Sequence, residues 1–486
     1  MEYLDPRKQK RHRITLLTGY ALVGLGIVIG TVVLLWQAYG FGVQNGQVIQ
    51  DGMVFVSSQP NPASIYINGV LNAATTNTRL TIPSGLYNFE LKANGYRPWT
   101  HWINVMGGQV VHYDYPLLVP NKLVSKTIAV FNSAPEFATQ SPNQQYLVVP
   151  DQTTFGSFYM YDLTSPATPP VTLTLPASLL TPAQSTQSWK VVGWADDNQH
   201  LLLEHLYDGS SEFIELDTQN PSQSVNLNKT FNISPTSVTL NNLKYNQFYF
   251  YDAVSKSLST ATLGSTAVTQ VEPNVLSYKS YLNNSYLYVT SAGAPTGKVA
   301  VELDVNGKDY FVRDLPVSQT YLLNMASYNG NNYAVVGASS DNFVYLYQNM
   351  INQTGSGNGP ITPYRAILIN HPNYDSFAPT AQFIMVENGS QVAVYDILND
   401  EIYHYDLPMQ IDSPQQNVFW MDGDRLDFVS GGNLVITDYD NTNQQKLTPA
   451  MAAYQSFFAP DYHSYFTLVQ KSAKEIDLNQ TSLIAS

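Results

Sequence analysis

The sequence predicts an all-β protein held by one N-terminal transmembrane helix: a small β-sandwich follows the helix, and a β-propeller of eight blades, with seven as the alternative, follows the sandwich. Three observations carry this. One uncharged run spans Ile14 to Trp36, helical periodicity is missing after residue 40, and turn-punctuated strand units recur through the last three quarters of the chain.

The run reads ITLLTGYALVGLGIVIGTVVLLW and contains no Asp, Glu, Lys, Arg or His. At about 1.5 Å of rise per residue it is long enough as a helix to cross a hydrocarbon core of roughly 30 Å. Arg7, Lys8, Lys10, Arg11 and Arg13 precede it, and Trp36, Tyr39 and Phe41 close it without a nearby cation. Cations stay on the cytoplasmic side and aromatic rings settle at the interface, so the amino terminus is expected inside and the bulk outside. A cleavable signal has a shorter apolar stretch of roughly 7–15 residues and a small-residue cleavage site. No such site follows Trp36, so an uncleaved anchor is expected. Gly26 and Gly30 fit the small-xxx-small spacing that lets two membrane helices approach, which makes a dimer possible.

Beyond the first thirteen residues the chain carries 18 of its 23 cations and 35 of its 37 anions, a net charge of −17. Nucleic acid and anionic lipid both select Lys and Arg, so neither is an expected partner. Cysteine is absent, and each exported domain must therefore stand on its own core. With 34 Tyr and 20 Phe among 44% hydrophobic and 12% charged residues, the material for strands is ample.

In chain order, residues 1–13 read as a short polar cytoplasmic tail, 14–39 as the membrane helix, and the Gly/Gln-rich stretch 40–51 as a tether. Residues 52–119 read as short alternating strands, among them MVFVSS, SIYIN, Leu86–Lys92, His101–Val105 and a run from Val110, separated by Pro, Asn and Gly turns. The landmarks S-x-P-x-x-A-x-I-Y-I-N-G, P-S-G-x-Y, G-Y-R-P-W, a Gly107-Gly108 turn and a closing Y-P-L resemble the PEGA domain, a small β-sandwich of bacterial and archaeal surface proteins. Its signature tetrapeptide stands here as Pro60-Asn61-Pro62-Ala63, and Thr78-Arg79 replaces the usual Thr-Pro. The resemblance implies a turn at Gly95-Tyr96 and core or rim places for Tyr96 and Trp99. It implies no catalytic role.

From 123 to 486, units begin near Phe137, Val192, Val238, Tyr281, Met325, Phe377, Asn417 and Phe457, about 35–55 residues apart. That period with short strands marks a propeller, whose blades bury their faces only by stacking in a ring. The units resemble the F-S-P-D-G-x-x-L blades of TolB-like and WD40-like propellers, best at Asp422-Gly423 and Phe458-Ala-Pro-Asp461. Ser125–Asn132 is a candidate outer strand for the last blade.

No motif for catalysis, metal or cofactor emerges. The eight His form no H-x-H or H-x-x-x-H pair, and His112 and His463 read as surface or satisfied core residues. Asp438-Tyr-Asp440-Asn441-Thr-Asn443 and Asp196-Asp197-Asn198 look superficially like calcium loops. Neither supplies both the Gly at position 6 and the bidentate Glu at position 12, and both read as turn caps. Gly355-Ser-Gly-Asn-Gly359 lacks the Lys-Ser/Thr and following helix of a phosphate loop. Acceptor sequons stand at Asn228, Asn352, Asn388 and Asn479. The expected function is non-enzymatic binding or scaffolding at the cell surface, with an envelope protein or wall polysaccharide as partner. The alternative is an extracytoplasmic glycan-acting propeller hydrolase or lyase.

Overall fold

A computed structural model describes residues 6–38, 40–44, 47–281, 285–353, 360–389, 391–407, 410–412 and 416–485. About 52% of the chain is strand and 9% helix. Two compact units divide between Lys122 and Leu123.

The long helix α1 runs from Pro6 to Ala38. It starts earlier than the anticipated boundary, so the polar tail is helical from residue 6. Arg, Lys and Gln are good helix formers, and Pro is tolerated in the first turn. Within the apolar stretch Thr15 and Thr18 donate their hydroxyls to the carbonyls of Arg11 and Ile14, at 2.9 and 2.8 Å, which leaves neither hydroxyl without a partner. The large apolar side chains from Leu16 to Trp36 are exposed on every side of α1. A helix apolar all round requires an apolar surrounding. Gln9–Trp36 is long and apolar enough to cross a membrane.

The stretch anticipated as a tether carries strands instead. β1 (Phe41–Gln44) pairs antiparallel with β2 (Gln47–Val56), and β2 continues into the sandwich. The next strands are β3 (Ser64–Ile67), β4 (Val70–Thr75), β5 (Thr78–Pro83), β6 (Gly85–Lys92), β7 (Trp99–Val105) and β8 (Val110–Tyr113). One sheet has the order β1-β2-β5 with β8 parallel to β2; the other has the order β4-β3-β6-β7. Alternation along the strands sends Val54, Val56, Ile65, Phe89, Leu91, Trp99, Ile103 and Val105 into one core. Trp99, read from sequence as a core or rim ring, is 1% exposed. Gly52 is required where β2 passes the end of β7, because a Cβ there would lie 2.6 Å from the Met106 carbonyl oxygen.

After β9 (Val124–Phe131), eight four-stranded antiparallel sheets follow within 139–174, 187–226, 237–272, 275–316, 321–368, 374–406, 419–449 and 457–482. Their starts lie within a few residues of the eight sequence units. The eighth holds only three strands of its own, and β9 pairs with its last, Glu475–Ser482, from Phe131↔Ile476 to Val124↔Ser482. The sheets pack in cyclic order. Phe158 and Trp189 join the first to the second, Phe213 and Phe248 the second to the third, and Tyr249 and Tyr286 the third to the fourth. Val301 and Val336 join the fourth to the fifth, and Val335 and Ile384 the fifth to the sixth. Phe383 stacks on Tyr439 at 4.3 Å between sixth and seventh, and Thr448 meets the Tyr465 hydroxyl at 2.9 Å between seventh and eighth. Leu147 and Phe466 return the eighth to the first.

Several hairpins between a sheet's first and second strands are shaped by side-chain caps. Asn143 Oδ1 accepts the Gln145 amide, Asp197 Oδ1 those of Gln199 and His200, Asp422 Oδ1 those of Asp424 and Arg425, and Asp461 Oδ1 that of His463. These are Asx turns, which explains why the D-G-like signal recurs.

Candidate functional site

First strands of neighbouring sheets run beside one another where the second sheet meets the third, the fourth the fifth and the fifth the sixth, which puts the first strands on the inner side of the propeller. These strands are Thr139–Gln140, Gln187–Trp194, Ser237–Leu240, Val275–Tyr281, Tyr321–Tyr328, Tyr374–Phe377, Phe419–Trp420 and Phe457–Phe458. Their polar side chains are mostly hydroxyl and amide groups. Among these strands Asp375 is the single carboxylate. Burial pushes it up to about 6, while Asn324 and the Lys279 ammonium, on the two preceding first strands, pull the other way. Thr239 and the Tyr278 hydroxyl meet at 3.0 Å, and the Gln140 amide donates to the Phe458 carbonyl at 2.7 Å.

A second polar concentration lies between the third and fourth sheets. The fourth sheet alternates strictly: Leu287, Val289, Val301 and Leu303 face the aliphatic layer toward the fifth sheet. Tyr286, Tyr288, Glu302 and Asp304 take the opposite face, with Tyr286 across from Asp304, Tyr288 across from Glu302, and Asp304 across from Asp309. Opposite them the third sheet presents Tyr249 and Glu272. The Tyr286 hydroxyl donates to Glu272 Oε1 at 3.0 Å, and its ring stands edge-on to Tyr249 at 5.6 Å. Glu272 is 9% exposed and Asp304 2%. A cavity of about 630 Å³ opens here, lined by Asn241, Gln247, Tyr249, Thr260, Tyr286 and Asp304 among others.

The electrostatics follow from crowding. Burial, then Asp309 and Asp304, raise the Glu272 carboxyl, and the Tyr286 hydrogen bond opposes them. Glu302 is pushed up to about 7 by burial and by Asp309, Asp314 and Glu272. Asp304 is raised by burial and Asp309, against the Gly307 amide. Tyr249, Tyr286 and Tyr288 are all raised, chiefly by burial and then by these carboxylates, and stay neutral donors.

Residues singled out from sequence fall elsewhere. His112 stacks on Phe55 at 4.6 Å and His463 sits 3.0 Å from Asp461, both exposed. Asp440 Oδ1 takes the Thr442 amide and hydroxyl, and the Asn443 amide reaches Asp438, so that loop is closed on itself. Gly355 to Gly359 lies outside the described residues. Asn228 and Asn388 spend their amides on the Ser211 and Asn370 carbonyls, and Asn479 is inside a strand paired on both sides. Sequence reading missed the acid–tyrosine layer. Its signal was the alternation Y-L-Y-V and V-E-L-D-V, which sends aliphatics one way and acids the other.

Residues 51–119 match the family model of the PEGA domain. This segment is a PEGA domain. Its eight buried core residues named above are those that the alternating pattern selects. No curated protein matches the chain. Solved structures similar to it are β-propellers in fold. Dihydro-heme d1 dehydrogenase NirN is 12% identical with a TM-score of 0.42, and the match covers 64% of this chain and 66% of that one. An oligogalacturonate lyase in complex with manganese is 10% identical with a TM-score of 0.39, covering 72% and 98%. The β-propeller domain of Myceliophteria thermophila Cps50 (Swd1) is 9% identical with a TM-score of 0.37, covering 74% and 98%.

Proposed function

We propose that this PEGA-domain protein is a single-pass membrane protein, amino terminus in the cytoplasm, whose eight sheets form an eight-bladed ring outside and bind an envelope protein or wall polysaccharide without chemical turnover. The observation that supports binding is the make-up of the axis. Two-carboxylate cleavage of a glycan needs a pair of acids a few ångströms apart. The first strands bring one, Asp375, beside an amide and an ammonium. Hydroxyl, amide and tyrosine groups on a rigid ring suit contacts with sugar or protein. The small-xxx-small spacing of Gly26 and Gly30 on α1 supports a dimer through a second copy's helix.

The test incubates the detergent-solubilised full chain with purified wall polysaccharide and, in parallel, with cross-linked envelope extract. Saturable retention on one of the two, with no new reducing ends in the polysaccharide, is expected. Release of new reducing ends, or retention on neither, overturns the reading.

A further inference from the structure

We propose that Glu272, Asp304 and Asp309 form a binding site for a hard divalent cation, calcium foremost, that joins the third propeller sheet to the fourth. The site does not depend on what the ring binds.

Each of the three residues offers a carboxylate oxygen, and the three oxygens lie within 4.8 Å of one another. Calcium takes oxygen ligands at about 2.4 Å, so two ligands on opposite sides of one ion stand about 4.8 Å apart. Oxygens this near one another can converge on a single ion. The strands hold them there by register: Asp304 lies directly across from Asp309 on neighbouring strands of the fourth sheet, and Glu272 ends the last strand of the third.

Two buried oxygens point to a ligand. Asp304 Oδ1 takes the Gly307 amide at 3.2 Å, but Oδ2 is buried without a hydrogen-bond partner. Asn241, 6% exposed and outside the acidic group, lines the same cavity, and its Oδ1 is also buried without a partner. A buried acceptor left unpaired is costly, more so when it is charged, and native structures mostly supply a partner. A cation satisfies a carboxylate oxygen and an amide oxygen alike. The charges that shift Glu272 and Asp304 are those of the neighbouring acids Asp309 and Asp304, and a cation relieves that repulsion. The donors are all oxygen, without His or Cys, which selects calcium or magnesium over zinc or copper. Calcium also accepts irregular oxygen geometry, whereas magnesium requires shorter bonds in near-ideal octahedral geometry.

The full chain in detergent is titrated with terbium, excited through its tyrosines, and with calcium and magnesium. Tyr286, bonded to Glu272, places a sensitiser at the site. Saturable terbium emission that calcium displaces is expected, together with a melting temperature that rises with calcium. Asp304→Asn is expected to weaken calcium binding about tenfold or more, because ligand charge sets affinity in such sites. Asp309→Asn changes an exposed position and serves where the buried variant does not fold. Calcium that leaves both terbium emission and melting of the natural chain unchanged, or variants that bind calcium as tightly as the natural chain, overturn the proposal.

Discussion

Replacing Glu212 by alanine is expected to lower the stability of the propeller by about 3–5 kcal/mol, because several buried donors lose their acceptor at once, each at about 1–3 kcal/mol. Glu212 is 2% exposed and every lone pair it offers inward is used. Oε1 accepts the Thr181 amide at 2.7 Å and faces His205 Nδ1 at 2.9 Å; Oε2 accepts the Thr181 hydroxyl at 2.7 Å and the Asn226 amide at 2.8 Å. Burial alone raises this carboxyl, but the bonds from His205, Thr181 and Asn226 outweigh it and hold it at about 2. The His205 ring is walled in by Phe155, Trp189 and Tyr207, each at 5.1 Å. Alanine strands that imidazole, Thr181 and Asn226 together. Glu212→Gln keeps the shape and most bonds, so its loss is expected to be smaller. Denaturant midpoints of the two variants check both expectations, and equal midpoints for alanine and the natural residue contradict them.

Leu478→Pro is expected to cost about 5 kcal/mol or more, the sum of a lost core side chain and a broken ladder. Leu478 is fully buried at the middle of Glu475–Ser482, the strand that has Ser464–Ser472 on one side and β9 on the other. Proline removes an N–H from a strand paired on both sides. Because β9 reaches the eighth sheet only through this strand, the break frees the segment that ties the start of the propeller to its end. Limited proteolysis is expected to cut near residues 124–131 in the variant and to spare them in the natural chain. Equal cutting in both contradicts the closing role of β9.

Much of this architecture was written in local pattern. A charge-free run of membrane length, the alternation of apolar residues, and Asn or Asp at hairpin tips all act within a few residues, so α1, the sandwich strands and the eight units are legible one at a time. The outer strand from residue 124 was legible as a candidate, because the last unit lacks a fourth strand of its own. Pairing across space was not. His205 and Glu212 stand directly opposite on a hairpin, seven residues apart, and their register is fixed by the turn at Asp208-Gly209, yet neither residue type announces a buried pair. Glu272 and Asp304 belong to different sheets, and only the stacking of those sheets brings them together. The stretch 40–51 misled because Gly and Gln obscure the alternation that β1 and β2 follow. The helical start of α1 was hidden by charge, which marks a membrane boundary but does not end a helix.

In the proposed topology the PEGA domain and the propeller lie across the membrane from the amino terminus and stay tied to it by α1. The chain has no cysteine, so a single one introduced by substitution reports its own side of the membrane. Val254, 93% exposed at a hairpin tip of the third sheet, and Lys10, on the basic turn of α1, are the two positions to use. In cells with an intact cytoplasmic membrane, a membrane-impermeant maleimide is expected to label Val254→Cys at full length and to label Lys10→Cys only after lysis. Labelling of Lys10→Cys in intact cells, protection of Val254→Cys, or a labelled product that has lost α1 would contradict the account.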